Sequence, residues 1–491
     1  MQSSLDDARK RWILGLTCLA QFMVILDVSV VNVALPSIRD DLGFSAVNLQ
    51  WVVNAYTLAF GGFLMLGGRA ADLLGRRRVF VVGLVAFAAA SLVGGLSTSQ
   101  EMLIGARAVQ GLGGAIVAPA TLAIITTTFD EGYERGRALA LWGAMGAVGG
   151  STGVLLGGVL TELLGWQWIL FINVPVGLLG ALGAVRFIPE STVDDLGERH
   201  YDISGALSVT AGLVLLTFAI VRTDVNGWGS ADTLLVGGAG LALLGLFLWI
   251  ERRASRPLMP LRIFASRTLT AANLVIFALG ASAFAMWYFV SLYLQQVLGF
   301  TPIEAGLSFL PMTGAIVVAS TFAGRLATRL GPGRVLAAGM AIIGVGMLLF
   351  TRISPTGSYL GDVLVPGVIT TTGIGLAFVP TTIAAMAGVD RSDAGLASGL
   401  VNTSAQVGGA VGLAVLATLS ATRSDDLIGA GQSTASALTS GYHLAFVIGA
   451  GLVLAAIAVA VAVLQPEKQA SEQIASEAEA GGSGEPAYSE G

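Results

Sequence analysis

Two charged side chains, Asp27 and Arg107, lie within long apolar stretches of the sequence. An ionised side chain in hydrocarbon costs from about 2.5 kcal/mol upward, so such residues pair, bind a ligand or exchange a proton. Both lie at similar depths from the same predicted end of their stretches. Burial favours a protonated carboxyl group, whereas a nearby cation favours the ionised form. We therefore predict a proton-coupling pair. The alternatives are a static ion pair, a structural hydrogen bond of Asp27 near Pro36, or an Arg107 side chain that extends to the lipid headgroups.

Aromatic, methionine and amide side chains in other apolar stretches are suited to a binding cavity for an amphiphilic molecule. Rings and thioethers adapt to varied apolar shapes, and amides add hydrogen bonds. The same residues are also typical of lipid-facing and interfacial positions, which is the alternative. The substrate-binding candidates are Tyr56, Gln110, Trp142, Trp287, Tyr288, Tyr293, Gln296, Met312, Asn402 and Gln406.

The composition excludes a soluble protein. Of the 491 residues, 54% are hydrophobic and 12% are charged, whereas soluble domains have about 25% charged residues. The two histidines and single cysteine are too few and too dispersed for a metal cluster, and neither lysine follows a phosphate-binding glycine loop. No nucleophile triad is visible either. We expect no enzymatic activity, no metal and no cofactor other than the proton gradient.

Fourteen apolar segments are long enough to cross a membrane as helices, which takes about 20 residues. They span approximately 12–35, 49–69, 79–97, 102–128, 138–160, 169–188, 203–221, 233–250, 268–298, 305–327, 335–351, 361–387, 396–420 and 441–464. With the N-terminus inside, 21 of the 26 Lys and Arg residues fall on the cytoplasmic side, 4 fall outside and 1 lies within a span. This positive-inside bias predicts that both termini are cytoplasmic.

Residues 67–78, which we call the arginine–glycine loop, separate the second and third segments. A degenerate copy at 324–334 lies 256 residues further on, and the first and ninth segments have the same spacing. We predict a cytoplasmic N-terminus (1–11), two six-helix bundles (12–188 and 268–464), an intervening linker with two extra helices (189–267), and a disordered acidic tail (465–491).

The fifth segment is rich in glycine, and Gly149, Gly153 and Gly157 recur every four residues, followed by Gly158. Small residues at this spacing form a groove that lets another helix approach closely. We predict that these four glycines seal the interface between the two bundles, with simple close packing as the alternative.

Several of these motifs resemble the major facilitator superfamily, and specifically its fourteen-span drug:proton antiporter branch. They are residues 26–36 around Asp27, residues 107–115 around Arg107, the arginine–glycine loop, and residues 292–296. The resemblance covers about residues 10–465 and implies that Arg107 takes part in proton transfer. One departure bears on mechanism: Val154 stands where the antiporter signature of the family has proline.

The resemblance also implies a role for the arginine–glycine loop. It places Asp72 near the cytoplasmic start of the thirteenth segment, around residues 394–398, where a carboxylate stabilises a helix N-terminus. We predict a conformational latch at the inner face, in which the arginines hold neighbouring carboxylates or anionic lipid. Its residues are Gly68, Asp72, Gly75, Arg76, Arg77 and Arg78.

Together these observations predict an all-α integral protein of the bacterial cytoplasmic membrane that exports amphiphilic drugs or antibiotics in exchange for protons, by alternating access. The expected partners are an amphiphilic small molecule, protons and membrane lipids, without nucleic acid or an obligate protein partner. The alternatives are uptake or symport of a metabolite and, from another class, a non-transporting scaffold or receptor.

Overall fold

The computed structural model describes residues 6–130, 132–190, 202–254, 257–386 and 394–464, without the side chains of residues 72, 147, 224, 379, 386, 394, 395 and 464. Within this part of the chain, fourteen helices are long and apolar enough to span a membrane, and no β-strand occurs. The predicted all-α class and the number of spans are thus confirmed. The predicted disordered tail lies outside the described residues.

The helices are numbered in chain order. They are α1 (Asp7–Leu42), α2 (Trp51–Leu74), α3 (Arg76–Gly95), α4 (Gln100–Thr128), α5 (Tyr133–Leu163), α6 (Trp168–Phe171), α7 (Asn173–Phe187), α8 (Ile203–Asn226), α9 (Ala231–Arg253), α10 (Arg267–Leu292), α11 (Pro302–Leu330), α12 (Pro332–Phe350), α13 (Val365–Met386), α14 (Ala394–Gly429) and α15 (Thr434–Val459). The short α6 and α7 form one span, interrupted at Ile172.

Capping side chains fix several helix starts. Ser99 accepts a hydrogen bond from the backbone of Met102 at the start of α4, and Thr301 and Glu304 form a reciprocal capping box at the start of α11. Such side chains satisfy the backbone N–H groups that the first helical turn leaves without partners. Helix ends at the membrane surface therefore follow local sequence signals.

Two pairs of glycines with left-handed backbone conformation repeat along the chain. Gly43 and Gly75 have φ values of 67° and 100°, and Gly299 and Gly331 have values of 70° and 88°. Each of the second pair lies 256 residues after its counterpart, which is the spacing of the repeat in the sequence. Because side chains rarely tolerate this conformation, the turns require glycine at these positions.

The helices pack as two groups, α1–α7 and α10–α15, which we call the first and second halves. Within the first half, α1 contacts α4, α5 and α7, and α2 and α3 contact α4. Within the second, α10 contacts α14 and α15, and α13 contacts α11 and α12. The halves meet along α5 with α11, α2 with α14 and α1 with α10.

The inserted helices α8 and α9 form a hairpin beside the α2–α14 contact. They pack against each other, and α8 also contacts both α2 and α14. The insertion thus touches one helix from each half. We call the end of the molecule that carries the arginine–glycine loop the inner end and the opposite end the outer end, following the predicted orientation.

Candidate functional site

Asp27 and Arg107 meet inside the first half. Asp27 on α1 is 0% exposed and Arg107 on α4 is 2% exposed. Arg107 Nη1 donates to Asp27 Oδ2 at 2.5 Å. The structure therefore brings together the two residues that we paired because they lie at similar predicted depths in the membrane.

A network of amides completes the surroundings of the carboxylate. Gln110 Nε2 donates to Asp27 Oδ1 at 2.6 Å and to Ser91 Oγ at 2.7 Å, while Gln110 Oε1 accepts from Arg107 Nη1 at 2.7 Å. Asn173 Nδ2 donates to the same Asp27 Oδ1 at 2.8 Å. The carboxylate of Asp27 thus accepts from α4 and α7 at once, as buried carboxylates require.

The guanidinium group of Arg107 has two further partners. Its Nε donates to the backbone carbonyl of Val52 at 3.0 Å, and its Cζ lies 4.5 Å from the ring centroid of Tyr56. A desolvated cation over an aromatic ring is stabilised by about 2 kcal/mol. Tyr56 is itself buried and stacks on Phe60, so α2 supplies a fixed wall to the site.

The arrangement is charge-balanced only while Asp27 is ionised. A proton on Asp27 would leave the guanidinium of Arg107 without its counter-ion, and an uncompensated buried charge costs several kcal/mol. Proton binding would therefore favour any rearrangement of α1 against α4 that rehydrates Arg107. An arrangement of this kind can link the protonation of Asp27 to the packing of α1 against α4.

Sequence reasoning missed Asn173 and Ser91. Both are polar residues within predicted spans, so the signal was comparable to that of Gln110. The sequence did not reveal that the sixth span is interrupted at Ile172. Because of this interruption, α7 begins at Asn173 and lies beside α1. We call Asp27, Ser91, Arg107, Gln110 and Asn173 the carboxylate cluster.

The glycine groove of α5 packs mainly within the first half. An added Cβ would lie 2.8 Å from the Phe22 carbonyl at Gly149, 2.8 Å from the Leu26 carbonyl at Gly153 and 2.7 Å from the Val30 carbonyl at Gly157. All three carbonyls belong to α1, so the prediction that these glycines seal the interface between halves is corrected. The reason is that the α5 face carrying this four-residue repeat turns toward its own bundle.

Gly158 alone of the four predicted glycines faces the second half, where an added Cβ would lie 2.4 Å from the Pro302 carbonyl of α11. From the other side, a Cβ at Gly306 would lie 2.6 Å from the Val154 carbonyl of α5. The halves are thus in backbone contact at the outer ends of α5 and α11.

Polar contacts join the halves at the same end. Ser291 Oγ donates to the Asn32 carbonyl at 2.6 Å, and Gln295 Nε2 donates to the Val33 carbonyl at 2.9 Å. Glu162 Oε2 accepts from the backbone of Ile303 at 3.0 Å, in the first turn of α11. These contacts close the space between the halves at the outer end.

The arginine–glycine loop contacts the segment that follows α7. Arg77 Nε lies 3.2 Å and Arg78 Nε 3.6 Å from Glu190 Oε2, and an added Cβ at Gly75 would meet the same carboxylate. Arg77 also donates to the Ile188 carbonyl at 3.4 Å. The sequence predicted a carboxylate partner for these arginines without identifying it.

The structure says less about the other residues of the predicted latch. Gly68 packs against the Pro119 ring of α4, and Arg76 begins α3. The side chain of Asp72 lies outside the described residues, as do those of residues 394 and 395. The predicted contact between Asp72 and the start of α14 therefore stays a prediction.

The predicted substrate-binding residues do not share one cavity in this structure. Tyr56 and Gln110 lie in or beside the carboxylate cluster. Tyr288, Tyr293 and Met312 are buried in the core of the second half. Tyr293 donates to the Ser354 carbonyl at 2.6 Å.

The remaining substrate-binding candidates lie on four different helices or turns. Trp287 on α10 lies 5.1 Å from the Phe309 ring of α11, and Trp142 on α5 donates to Thr121 of α4 at 3.0 Å. Gln296 accepts from Tyr442 at 3.3 Å. Asn402 is exposed on α14, and Gln406 on the same helix contacts Gly61 of α2. Their roles in binding stay predictions.

Comparison with known proteins adds independent information. The model of the Major Facilitator Superfamily matches residues 17–413. The chain is 44% identical over 454 residues to the cephamycin export protein CmcT of Amycolatopsis lactamdurans, covering 92% of each chain. It is 38% identical over 478 residues to the puromycin resistance protein pur8 of Streptomyces alboniger, covering 96% of this chain and 94% of that protein.

Among solved structures, the fold is similar to that of a bacterial homolog to the human lysosomal transporter Spinster, in an inward-facing and unoccupied conformation. The TM-score is 0.66 at 17% sequence identity, covering 93% of this chain and 97% of that one. At this identity the likeness concerns the fold alone.

Proposed function

The chain belongs to the major facilitator superfamily, and on this premise we propose that it exports amphiphilic antibiotics or drugs in exchange for protons. It is a multi-pass protein of the bacterial cytoplasmic membrane. In the proposed cycle, the two halves open alternately to either side of the membrane. A proton enters from outside and the compound leaves the cytoplasm.

The observation that carries the proton coupling is the carboxylate cluster. Asp27 is a fully buried carboxyl group with a single cation, Arg107, hydrogen-bonded to it. Such a pair is expensive to bury and contributes little net stability, so a purely structural protein gains nothing from it. A proton carrier does gain, because one proton changes the charge balance of the whole site.

The closed outer end supports the alternating-access part of the proposal. α1 contributes both Asp27 and the Asn32 and Val33 carbonyls, which accept hydrogen bonds from Ser291 of α10 and from Gln295 just after it. Asn32 and Val33 follow Asp27 by five and six residues, about one and a half turns of helix. A shift of α1 on protonation of Asp27 would therefore act directly on the contact between the halves.

The class of substrate is proposed from the relatives. Their names describe export of cephamycin and resistance to puromycin, which are small molecules of different structure. Walls built from aromatic residues and methionine suit such variety, because they adapt without fixed hydrogen bonds. We therefore propose a broad amphiphilic specificity and not recognition of one ionic group.

The test uses the full-length protein in a bacterial host from which drug pumps have been deleted. Growth inhibition by a panel of amphiphilic antibiotics and dyes is compared for the wild type, Asp27→Asn and Asp40→Asn. Asp40 lies exposed on the same helix and is the matched control. We expect cells with the wild type or Asp40→Asn to resist at least one compound. Cells with Asp27→Asn should be as sensitive to that compound as the host without the protein.

Proton movement is measured in parallel in inside-out vesicles with a fluorescent pH indicator. Addition of a transported drug should release protons in wild-type vesicles but not in Asp27→Asn vesicles. Resistance without drug-driven proton movement would refute proton coupling but would still support drug export. Absence of resistance to every compound, with proton movement driven by a metabolite, would favour uptake or symport.

A further inference from the structure

The inserted hairpin of α8 and α9 has two buried carboxyl groups at its inner end that the proposed transport cycle does not use. Asp202 precedes α8 and is 7% exposed, and Glu251 lies in the last turn of α9 and is 3% exposed. Buried acidic side chains are uncommon unless they are paired or protonated. These two require an explanation.

Asp202 caps the N-terminus of α8. Its Oδ1 accepts from the backbone of Gly205 at 2.7 Å and from Ser204 Oγ at 3.0 Å. Both are donors to a carboxylate, and the positive end of the helix dipole favours negative charge at this position. The donors to Asp202 are thus both on Oδ1, which leaves Oδ2 without a partner.

Glu251, in contrast, lies at a helix C-terminus. It lies two residues before the last residue of α9, where the helix dipole disfavours negative charge. Its Oε2 accepts from the backbone of Met259 at 3.0 Å, in the linker after α9. The surroundings of Glu251 therefore disfavour a negative charge on this carboxyl group.

One oxygen of each carboxyl group is buried without a donor: Oδ2 of Asp202 and Oε1 of Glu251. Antiparallel packing of α8 and α9 brings the start of α8 and the end of α9 together at the inner end of the hairpin, where the two carboxyl groups interact with each other. Two oxygens that both accept cannot bond, but a single proton between them converts the pair into a hydrogen bond that satisfies both atoms. Like charges that share one buried site disfavour ionisation of both carboxyl groups.

Among the residues that the structure describes, the basic side chains of the surrounding elements bind elsewhere or are exposed. Arg69 at the inner end of α2 donates to the Pro257 carbonyl at 3.2 Å, and Arg253 lies over the Trp249 ring at 4.4 Å. Arg252 on α9 and Arg267 beyond the linker are exposed, and Arg262 is exposed and engaged in a contact of its own. On α14, which packs against α8, the described residues from 396 to 422 carry no ionisable group.

We propose that Asp202 and Glu251 form a second proton-binding site, which holds one proton between Glu251 Oε1 and Asp202 Oδ2. The site is separate from the carboxylate cluster, because it lies in the inserted hairpin and at the inner end. Its ligand is a proton, which Glu251 carries and donates toward Asp202. Nothing in this assignment depends on drug export.

The proton also holds the linker in place. While Glu251 is protonated through Oε1, its Oε2 is oriented toward the Met259 backbone, and the linker in turn binds Arg69 of the arginine–glycine loop through Pro257. Leu258 and Met259 line a cavity of about 200 Å³ between the hairpin, α2, α10 and α14. Loss of the proton would place two like charges together, separate α8 from α9 and loosen the linker over this cavity.

The experiment compares infrared spectra of the purified full-length protein in lipid nanodiscs at neutral and alkaline pH. We expect the carbonyl-stretch band of a protonated carboxylic acid at neutral pH and its loss at alkaline pH. Glu251→Gln should abolish this band, because Gln reproduces the protonated shape without a titrating proton. Asp27→Asn should retain it, which separates this site from the carboxylate cluster.

Thermal unfolding against pH gives a second measurement that does not depend on band assignment. The folded pair binds one proton that the unfolded chain has already released, so wild-type stability falls as pH rises through the deprotonation of the pair. Glu251→Gln should remove this fall, whereas Glu101→Gln, at an exposed position on α4, should keep it. A wild-type band or a wild-type pH dependence in folded Glu251→Gln would overturn the proposal.

Discussion

Replacing Asn173 with Leu tests whether the amide from α7 controls proton release from Asp27. Leu has a similar size but cannot donate the 2.8 Å hydrogen bond to Asp27 Oδ1. A hydrogen bond to a charged group contributes about 1.5–3 kcal/mol. Since about 1.4 kcal/mol corresponds to one pH unit, losing this stabilisation of the ionised form should move proton release to higher pH by about one to two units.

The assay is drug-driven proton release in inside-out vesicles, measured as a function of the pH on the cytoplasmic side. The ionised form of Asp27 is less stable in Asn173→Leu, so the pH of half-maximal release should rise while the maximal rate at alkaline pH is retained. Asn48→Leu, at an exposed position, is the control for loss of an amide and should leave the profile unchanged.

Two results would refute the reasoning. An unchanged profile in Asn173→Leu would show that the hydrogen bond to Asp27 carries no differential energy between its two protonation states. A shift to lower pH would mean that the amide stabilises the protonated carboxyl, as an acceptor through its oxygen. If Asn173→Leu loses rate at every pH and is thermally unstable, the cause is poor folding and not the missing hydrogen bond. Asn173→Gln separates these cases, because it retains the donor and should restore the profile.

Three further perturbations follow from the packing. Arg107→Gln leaves a buried carboxylate without its cation and should lower stability by about 3–5 kcal/mol, measured by thermal unfolding, with partial recovery in the double variant with Asp27→Asn. Gly153→Ala should cost about 1–3 kcal/mol because α1 lies too close for a Cβ, whereas Gly143→Ala faces open space and should cost nothing by the same assay. Glu162→Gln weakens the charged cap on α11 and should widen spin-label distances across the outer end; unchanged distances would remove this carboxylate from the contact.

The position of the inserted hairpin gives the two extra helices a physical role that the repeat pattern did not suggest. The hairpin lies beside α2 and α14, which belong to different halves, and its linker reaches the arginine–glycine loop through Arg69. A hairpin in contact with both halves must move with one or slide past the other during alternating access. The proton held by Asp202 and Glu251 is suited to setting how firmly it stays attached.

Pairing of Asp27 with Arg107 was predictable because each is an isolated charge in hydrocarbon, where few partners exist. Asn173 was not, since its contact with Asp27 depends on the interruption of the sixth span and on how α7 lies against α1. The Asp202–Glu251 pair could not be predicted from the sequence either. The sequence places the two residues in loops on either side of the hairpin, and only the antiparallel packing of α8 and α9 joins them.

By itself, the sequence determined the class, the number of spans, the internal repeat and the central ion pair. These depend on hydropathy, helix length and the high cost of charge in a membrane, which are properties of residues in order. The tertiary structure decided which face of α5 receives α1, which carboxylate Arg77 and Arg78 contact, and which amides surround Asp27. Those features depend on helix rotation and crossing, which apolar residues of similar character on every face of a membrane helix do not specify.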